Sequence, residues 1–186
     1  ITSIFYAGYT LSVPFLVSLT DRIDPRRVYC GGVALLVCAH LGFALVAEGF
    51  WGAMACRALA GIGWAGTYMP GLKVLSDVLE GRTQSRGVSW HAASVGISGA
   101  LSFVVAGSVA SWWTWRWAFG VGAICAMLSL GLAWLGMPAQ PARGAASSQR
   151  RLLDFRPVLR NRSAMAYALS YGVHTWEMNA LRGWAV

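Results

Sequence analysis

What this 186-residue sequence has little of is charge: Asp, Glu, Lys and Arg together make up 12% of it. An ordinary soluble domain carries about twice that fraction. The shortage is uneven. Nothing before Asp21 is charged, and nothing from Val28 to Ala47 is. A helix of about 20 apolar residues crosses the hydrocarbon core of a bilayer, and uncharged runs near that length recur along the chain. The missing charge therefore excludes a soluble globular fold and predicts an integral membrane protein.

Other absences narrow the class. The four cysteines, Cys30, Cys38, Cys56 and Cys125, lie inside apolar runs with no C-x-x-C and no His at ligand spacing. They read as small buried residues of membrane helices, so no metal and no cofactor are expected. No run alternates polar with apolar residues, which excludes a transmembrane β-barrel. No P-loop is present, so ATP is not the expected energy source. The first run is too long for a signal peptide and has no basic leader. No nucleophile sits beside a base, so an enzyme is not expected. The chain starts without an initiator Met, in apolar sequence, and stops on "GWAV", and is read as a fragment of a longer protein.

What is there is six apolar runs, about Ser3–Leu19, Val28–Ala47, Phe50–Val74, Val88–Ser111, Trp117–Gly136 and Ala164–Val186. Their length makes them helices, because lipid leaves the backbone no partner but itself. The predicted fold is an all-α polytopic helical bundle with six membrane helices. Arg and Lys mark its sidedness. Arg22, Arg26, Arg27, Lys73, Arg82, Arg86, Arg143, Arg150, Arg151, Arg156, Arg160 and Arg162 fall in alternate loops, against Arg116 alone on the other side. The positive-inside rule puts the twelve in the cytoplasm, in a multi-pass protein of the plasma or inner membrane. The net charge of +8 is then a topology signal, and nucleic acid is not an expected partner. Trp112, Trp113, Trp115 and Trp117 fit an interfacial belt on the far side.

Composition also predicts the domains. Residues 1–137 form five helices of a first membrane half. Residues 138–163, rich in Pro, Gly, Ala, Ser and Arg, form a cytoplasmic linker, with a short amphipathic helix around Arg151–Leu159. Residues 164–186 open the second half.

Three motifs carry a resemblance. The stretch "LTDRIDPRRV" packs Asp21, Arg22, Asp24, Arg26 and Arg27 into a tight turn between two uncharged runs. "RALAGIGWAGTYMPG" holds Arg57, Gly61, Gly63 and Gly66 inside the third run, where small residues let helices approach closely. The same glycines spell G-x-G-x-x-G, but no strand precedes them, which rules out a dinucleotide site. "LKVLSDVLEGRTQSRGVS" places Asp77 and Arg86-Gly87 at the end of that run and the start of the next. Together these resemble the major facilitator superfamily. The first matches that family's Gly-x-x-x-Asp-Arg-x-Gly-Arg-Arg turn, with Val17 at the first Gly and Asp24-Pro25 in the turn. The second resembles its Arg-x-x-x-Gly-x-Gly pattern. The fourth run adds a face of small residues, Ala92, Gly96, Ala100 and Gly107, without the Gly-Pro of the family's proton antiporters.

The resemblance spans the whole chain, from the family's second helix into its seventh. It implies a secondary carrier moving a small solute by alternating access, coupled to a proton or solute gradient, in a full-length monomer embedded in the bilayer. It also implies that Asp21, Arg22, Arg26, Arg27, Asp77 and Arg86 form a latch held differently in two conformations. The bland alternative is a topology signal with weak surface pairs.

Charges inside membrane runs are functional candidates by default. Arg57 either lines the central cavity and meets an anionic group or snorkels outward as an anchor. In "YGVHTWEMNALRGW", His174 and Glu177 share one helix face and Asn179 and Arg182 another. Glu177 either pairs with a basic group such as Arg182 or takes up protons. The runner-up function is a membrane-embedded enzyme or scaffold using His174 and Glu177 as acid–base groups. His40, alone on an apolar helix, reads as a helix–helix hydrogen-bonding group.

Overall fold

A computed structural model describes residues 2–139 and 156–184, apart from the side chains of 178–179 and 181–184. Every regular element among the described residues is a helix. In chain order these are α1 (Thr2–Leu19), α2 (Pro25–Leu45), α3 (Phe50–Ala65), α4 (Tyr68–Val78), α5 (Gly81–Trp112), α6 (Trp115–Gly136), α7 (Arg156–Arg160) and α8 (Arg162–Trp184). The chain divides into two compact units, Ile1–Gln149 and Arg150–Val186.

In the first unit the turn between α1 and α2 is built by short local bonds. The N–H groups of Arg22 and Ile23 both donate to the Leu19 carbonyl at 3.0 Å, closing α1. Asp24 then starts α2: its Oδ1 accepts the Arg26 N–H at 2.9 Å, and Pro25 takes the first helical position. Pro suits that place because its missing N–H would have no helical partner there.

The third apolar run differs from the expected single span. It is two helices, α3 and α4, with a break at Gly66–Thr67. The cause is Pro70, which has no N–H for the Gly66 carbonyl four residues back and whose ring crowds that carbonyl. The backbone answers with tighter bonds, Gly66 N–H to Gly63 O at 3.1 Å and Thr67 N–H to Trp64 O at 3.1 Å. Among the described residues four helices, α1, α2, α5 and α6, are each long and apolar enough to cross a membrane.

α2 is the centre of the unit, with α3, α4 and α6 packed around it and α1 lying on α3. Val28, Val33, Ala39 and Phe43 of α2 are accordingly buried. Among the described residues α5 leans on α4 and α6 only, and none of its residues is buried there. Gly81, at φ 57, turns the chain from α4 into α5 in the left-handed region that glycine adopts without strain. At about 1.5 Å per residue, the 32 residues of α5 exceed the hydrocarbon thickness, so its polar first turns extend past it.

In the second unit α7 packs against α8. Asn161 caps α8 by accepting the Ala164 N–H on its side-chain oxygen at 3.2 Å. The predicted linker helix falls partly outside the described residues, and α7 covers its later half.

Candidate functional site

Three side chains meet where the α1–α2 turn approaches α4. Lys73 Nζ lies 3.5 Å from Asp21 Oδ1 and 3.3 Å from Asp77 Oδ2. The Lys73–Asp77 leg is an i, i+4 pair within α4, while the Lys73–Asp21 leg crosses to the turn. The legs are unequal. Asp77 keeps 11% of its side-chain exposure and Asp21 62%, so the inner leg is screened less and holds more strongly.

Two of the neighbouring basic groups, Arg26 and Arg27, turn toward α6. Arg26 donates from Nη2 to the Trp134 carbonyl of α6 and stacks over the Trp134 ring at 4.8 Å. Arg27 points into a groove between α2 and α6. Arg22 stays in the exposed turn, and Arg86 is exposed near the start of α5. The structure thus brings Asp21 and Asp77 together through Lys73, and takes Arg26 and Arg27 to α6.

At the other end of α2, Arg57 of α3 is held by aromatic faces. Its guanidinium carbon stands 5.3 Å from the Phe43 ring centre and 5.6 Å from that of Phe119. Those rings stack on each other at 4.4 Å with 12° between planes. Such contacts contribute about 0.5–2 kcal/mol, more as water is excluded. Arg57 Nε is buried and has no hydrogen-bond partner among the described residues. His40 adjoins this cluster, with Nδ1 2.7 Å from the Leu36 carbonyl of its own helix and its ring 6.2 Å from Phe119.

A track of half-exposed rings follows the broken helix. Trp64 contacts Tyr9 of α1 at 4.8 Å and Phe5 at 5.7 Å between centroids. Beyond the break, Tyr68 lies 6.2 Å from Trp64 and stacks on His91 of α5 at 5.1 Å. His91 Nε2 is also 3.2 Å from the Tyr68 carbonyl. The track joins α1, α3, α4 and α5.

Glycines set how closely these helices meet. A Cβ on Gly61 would collide with the Phe5 carbonyl of α1, and one on Gly63 would sit 2.8 Å from the Gly32 carbonyl of α2. Gly66 would come within 2.9 Å of the Gly32 Cα. A Cβ on Gly96 of α5 would meet nothing within 4 Å.

On α8, His174 Nδ1 is 3.8 Å from Glu177 Oε2, and each side chain is 70% exposed. The side chains of Asn179 and Arg182 lie outside the described residues. Among the described residues no three His, Cys, Asp or Glu side chains are placed to hold a metal ion.

Sequence reasoning passed over several of these groups. Lys73 counted only as a topology charge, although its i, i+4 spacing to Asp77 was a usable pairing signal. Asp24-Pro25 looked like a departure from a motif, whereas an acid followed by Pro is a helix start. Phe119 and His91 carried no local signal, because what defines them is a partner on another helix.

A bundle of apolar helices around α2, with close glycine contacts and a charge cluster at one end, is a polytopic α-helical membrane protein. The chain matches the Major Facilitator Superfamily over residues 1–181 and belongs to that family. It is 25% identical to protein spinster homolog 3 of Danio rerio over 191 aligned positions, covering 98% of this chain and 38% of that protein. It is 24% identical to protein spinster homolog 1 of Homo sapiens over 196 positions, covering 100% and 37%. It is 29% identical to the MFS-type transporter TwmF of Talaromyces wortmannii over 121 positions, covering 64% and 22%. The chain thus spans less than two fifths of the length of the spinster relatives it matches.

Proposed function

We propose that this chain belongs to a secondary transporter that moves a small solute across a membrane by alternating access. One observation carries the reading: Lys73 stands between Asp21 of the α1–α2 turn and Asp77 of α4, at 3.5 and 3.3 Å. Alternating access needs an element with two arrangements of similar energy. A partly exposed ion pair meets that need, since it contributes at most about 1 kcal/mol and breaks readily. Family membership and the similarity to a fungal MFS-type transporter favour the same reading.

The solute meets the ring track. Trp64, Tyr68 and His91 flank a helix break, where close backbone approach and aromatic faces coincide. Arg57 stands apart from it in this reading, because Phe43 and Phe119 already occupy its charge. The cycle is driven by a gradient, with Glu177 taking up and releasing the coupling proton and His174 as its neighbour on α8. Basic loops face the cytoplasm, and the full-length carrier works as a monomer without a cofactor.

Full-length protein in proteoliposomes, with a pH-sensitive dye inside, tests this. Pools of small solutes are added outside, and solute-dependent proton movement is recorded. Saturable flux is expected, with Asp77→Asn reducing it severalfold while leaving protein in the membrane. Glu177→Gln is expected to keep solute exchange and lose accumulation against a gradient. Unchanged flux in Asp77→Asn and Asp21→Asn alike overturns the latch, and normal accumulation in Glu177→Gln overturns the coupling role.

A further inference from the structure

The geometry points to a binding site for an anionic phospholipid in the groove between α2 and α6, on a different pair of helices from the ring track. The groove measures about 850 Å³ and is lined mostly by apolar atoms. Arg27 stands at one end, and Cys30, Gly31, Leu130, Gly131 and Trp134 form its walls. From Arg27 to Ala34 it extends about 10 Å along α2, most of the depth of one leaflet.

Charge selects the occupant. Arg27 is exposed and makes no ion pair or side-chain hydrogen bond among the described residues. Its neighbour Arg26 is already committed to the Trp134 carbonyl and ring, which fixes one wall and leaves Arg27 as the group facing a ligand. A cation at the mouth of an apolar groove fits a phosphate headgroup with its acyl chain along the wall. The chain's own residues 140–155, which follow α6, carry three Arg against one Asp and repel Arg27 rather than complement it. Glycines keep the groove open: a Cβ on Gly31 or Gly131 would meet nothing within 4 Å.

The test is native mass spectrometry of the full-length protein in detergent, titrated with dioleoyl phosphatidylglycerol or dioleoyl phosphatidylcholine. The phosphatidylglycerol adduct is expected to dominate. Arg27→Gln should weaken it about fivefold, the effect of one Arg near an anionic lipid surface, and Arg27→Lys should restore most of it. Gly131→Leu fills open space without disturbing the backbone, so it should remove the adduct from protein that elutes and melts like wild type. Equal binding of the two lipids, or unchanged binding in Arg27→Gln or Gly131→Leu, overturns the proposal. So does a stronger adduct after Leu152→Ser with Phe155→Ser, which would assign the groove to the chain's own segment. A dimer signal lost in Gly131→Leu would assign it to a second copy.

Discussion

Glycine does opposite things on α3 and α5. On α3, Gly61 and Gly63 each face the backbone of another helix so closely that a methyl group has no room. On α5, Gly96, Gly99 and Gly107 face nothing within 4 Å, and no residue of that helix is buried. Both helices show the small-residue spacing that marks helix contacts in membranes. Spacing therefore shows where a close contact is permitted, and only a partner's backbone turns permission into a contact. On the packed side the contact also places chemistry, because α1 and α3 brought together at Gly61 put Phe5 and Tyr9 against Trp64.

The largest expected effect breaks the packed side. Gly61→Ala should destabilise the first unit by about 1–3 kcal/mol, the usual cost of overpacking, and Gly61→Leu should prevent stable folding. The Cβ meets a carbonyl of α1, which cannot rotate aside as a side chain would. Titration of helical content with dodecyl sulfate in mixed micelles measures it. A Gly61→Ala midpoint equal to that of the unaltered protein would show that α1 does not need this approach.

A smaller effect separates contact from charge on the same side. Lys73→Met removes the cation shared by Asp21 and Asp77, and Asp77 is mostly shielded from water. A loss of about 1 kcal/mol is expected, the upper end for partly exposed ion pairs. Asp21→Asn should cost less than about 1 kcal/mol, since its carboxylate is largely solvated. Both can be read in the same dodecyl sulfate titration, in low salt and in high salt. A larger loss from Lys73→Met than from Gly61→Ala would mean that charge, not contact, holds the side together.

How much of this was legible in the sequence follows the same line. Uncharged runs located α1, α2 and α6 within a few residues and the end of α5, whose start lies seven residues earlier than expected, because lipid length is a local property of composition. The split of the third run was also local, since Pro70 stood four residues after Gly66, yet a purely apolar count reads through it. Gly61, Gly63 and Gly66 were recognisable as a packing motif. That Gly32 of α2 is what Gly63 and Gly66 meet was not, because no periodicity names a partner helix. The charged turn was legible as a cluster but not as a wiring diagram. Lys73 takes both carboxylates, and Arg26 leaves for Trp134 of α6, more than a hundred residues away.

The smallest expected effect carries the opposite sign. Gly96→Ala on α5 adds a methyl group to open space and removes a residue with poor helix propensity, so it should stabilise the helix by no more than about 1 kcal/mol. The same substitution thus destabilises α3 and mildly stabilises α5, with chemistry held constant and only the partner changed. Gly99→Ala and Gly107→Ala should behave like Gly96→Ala, because a Cβ at each likewise meets nothing. Measured in the full-length protein, the α5 series also reports on what α5 touches there. A loss of stability of about 1 kcal/mol or more from Gly96→Ala would show that this face is packed against another helix in the full-length protein. The two glycine stripes would then be the same device at two places, rather than a contact and an open face.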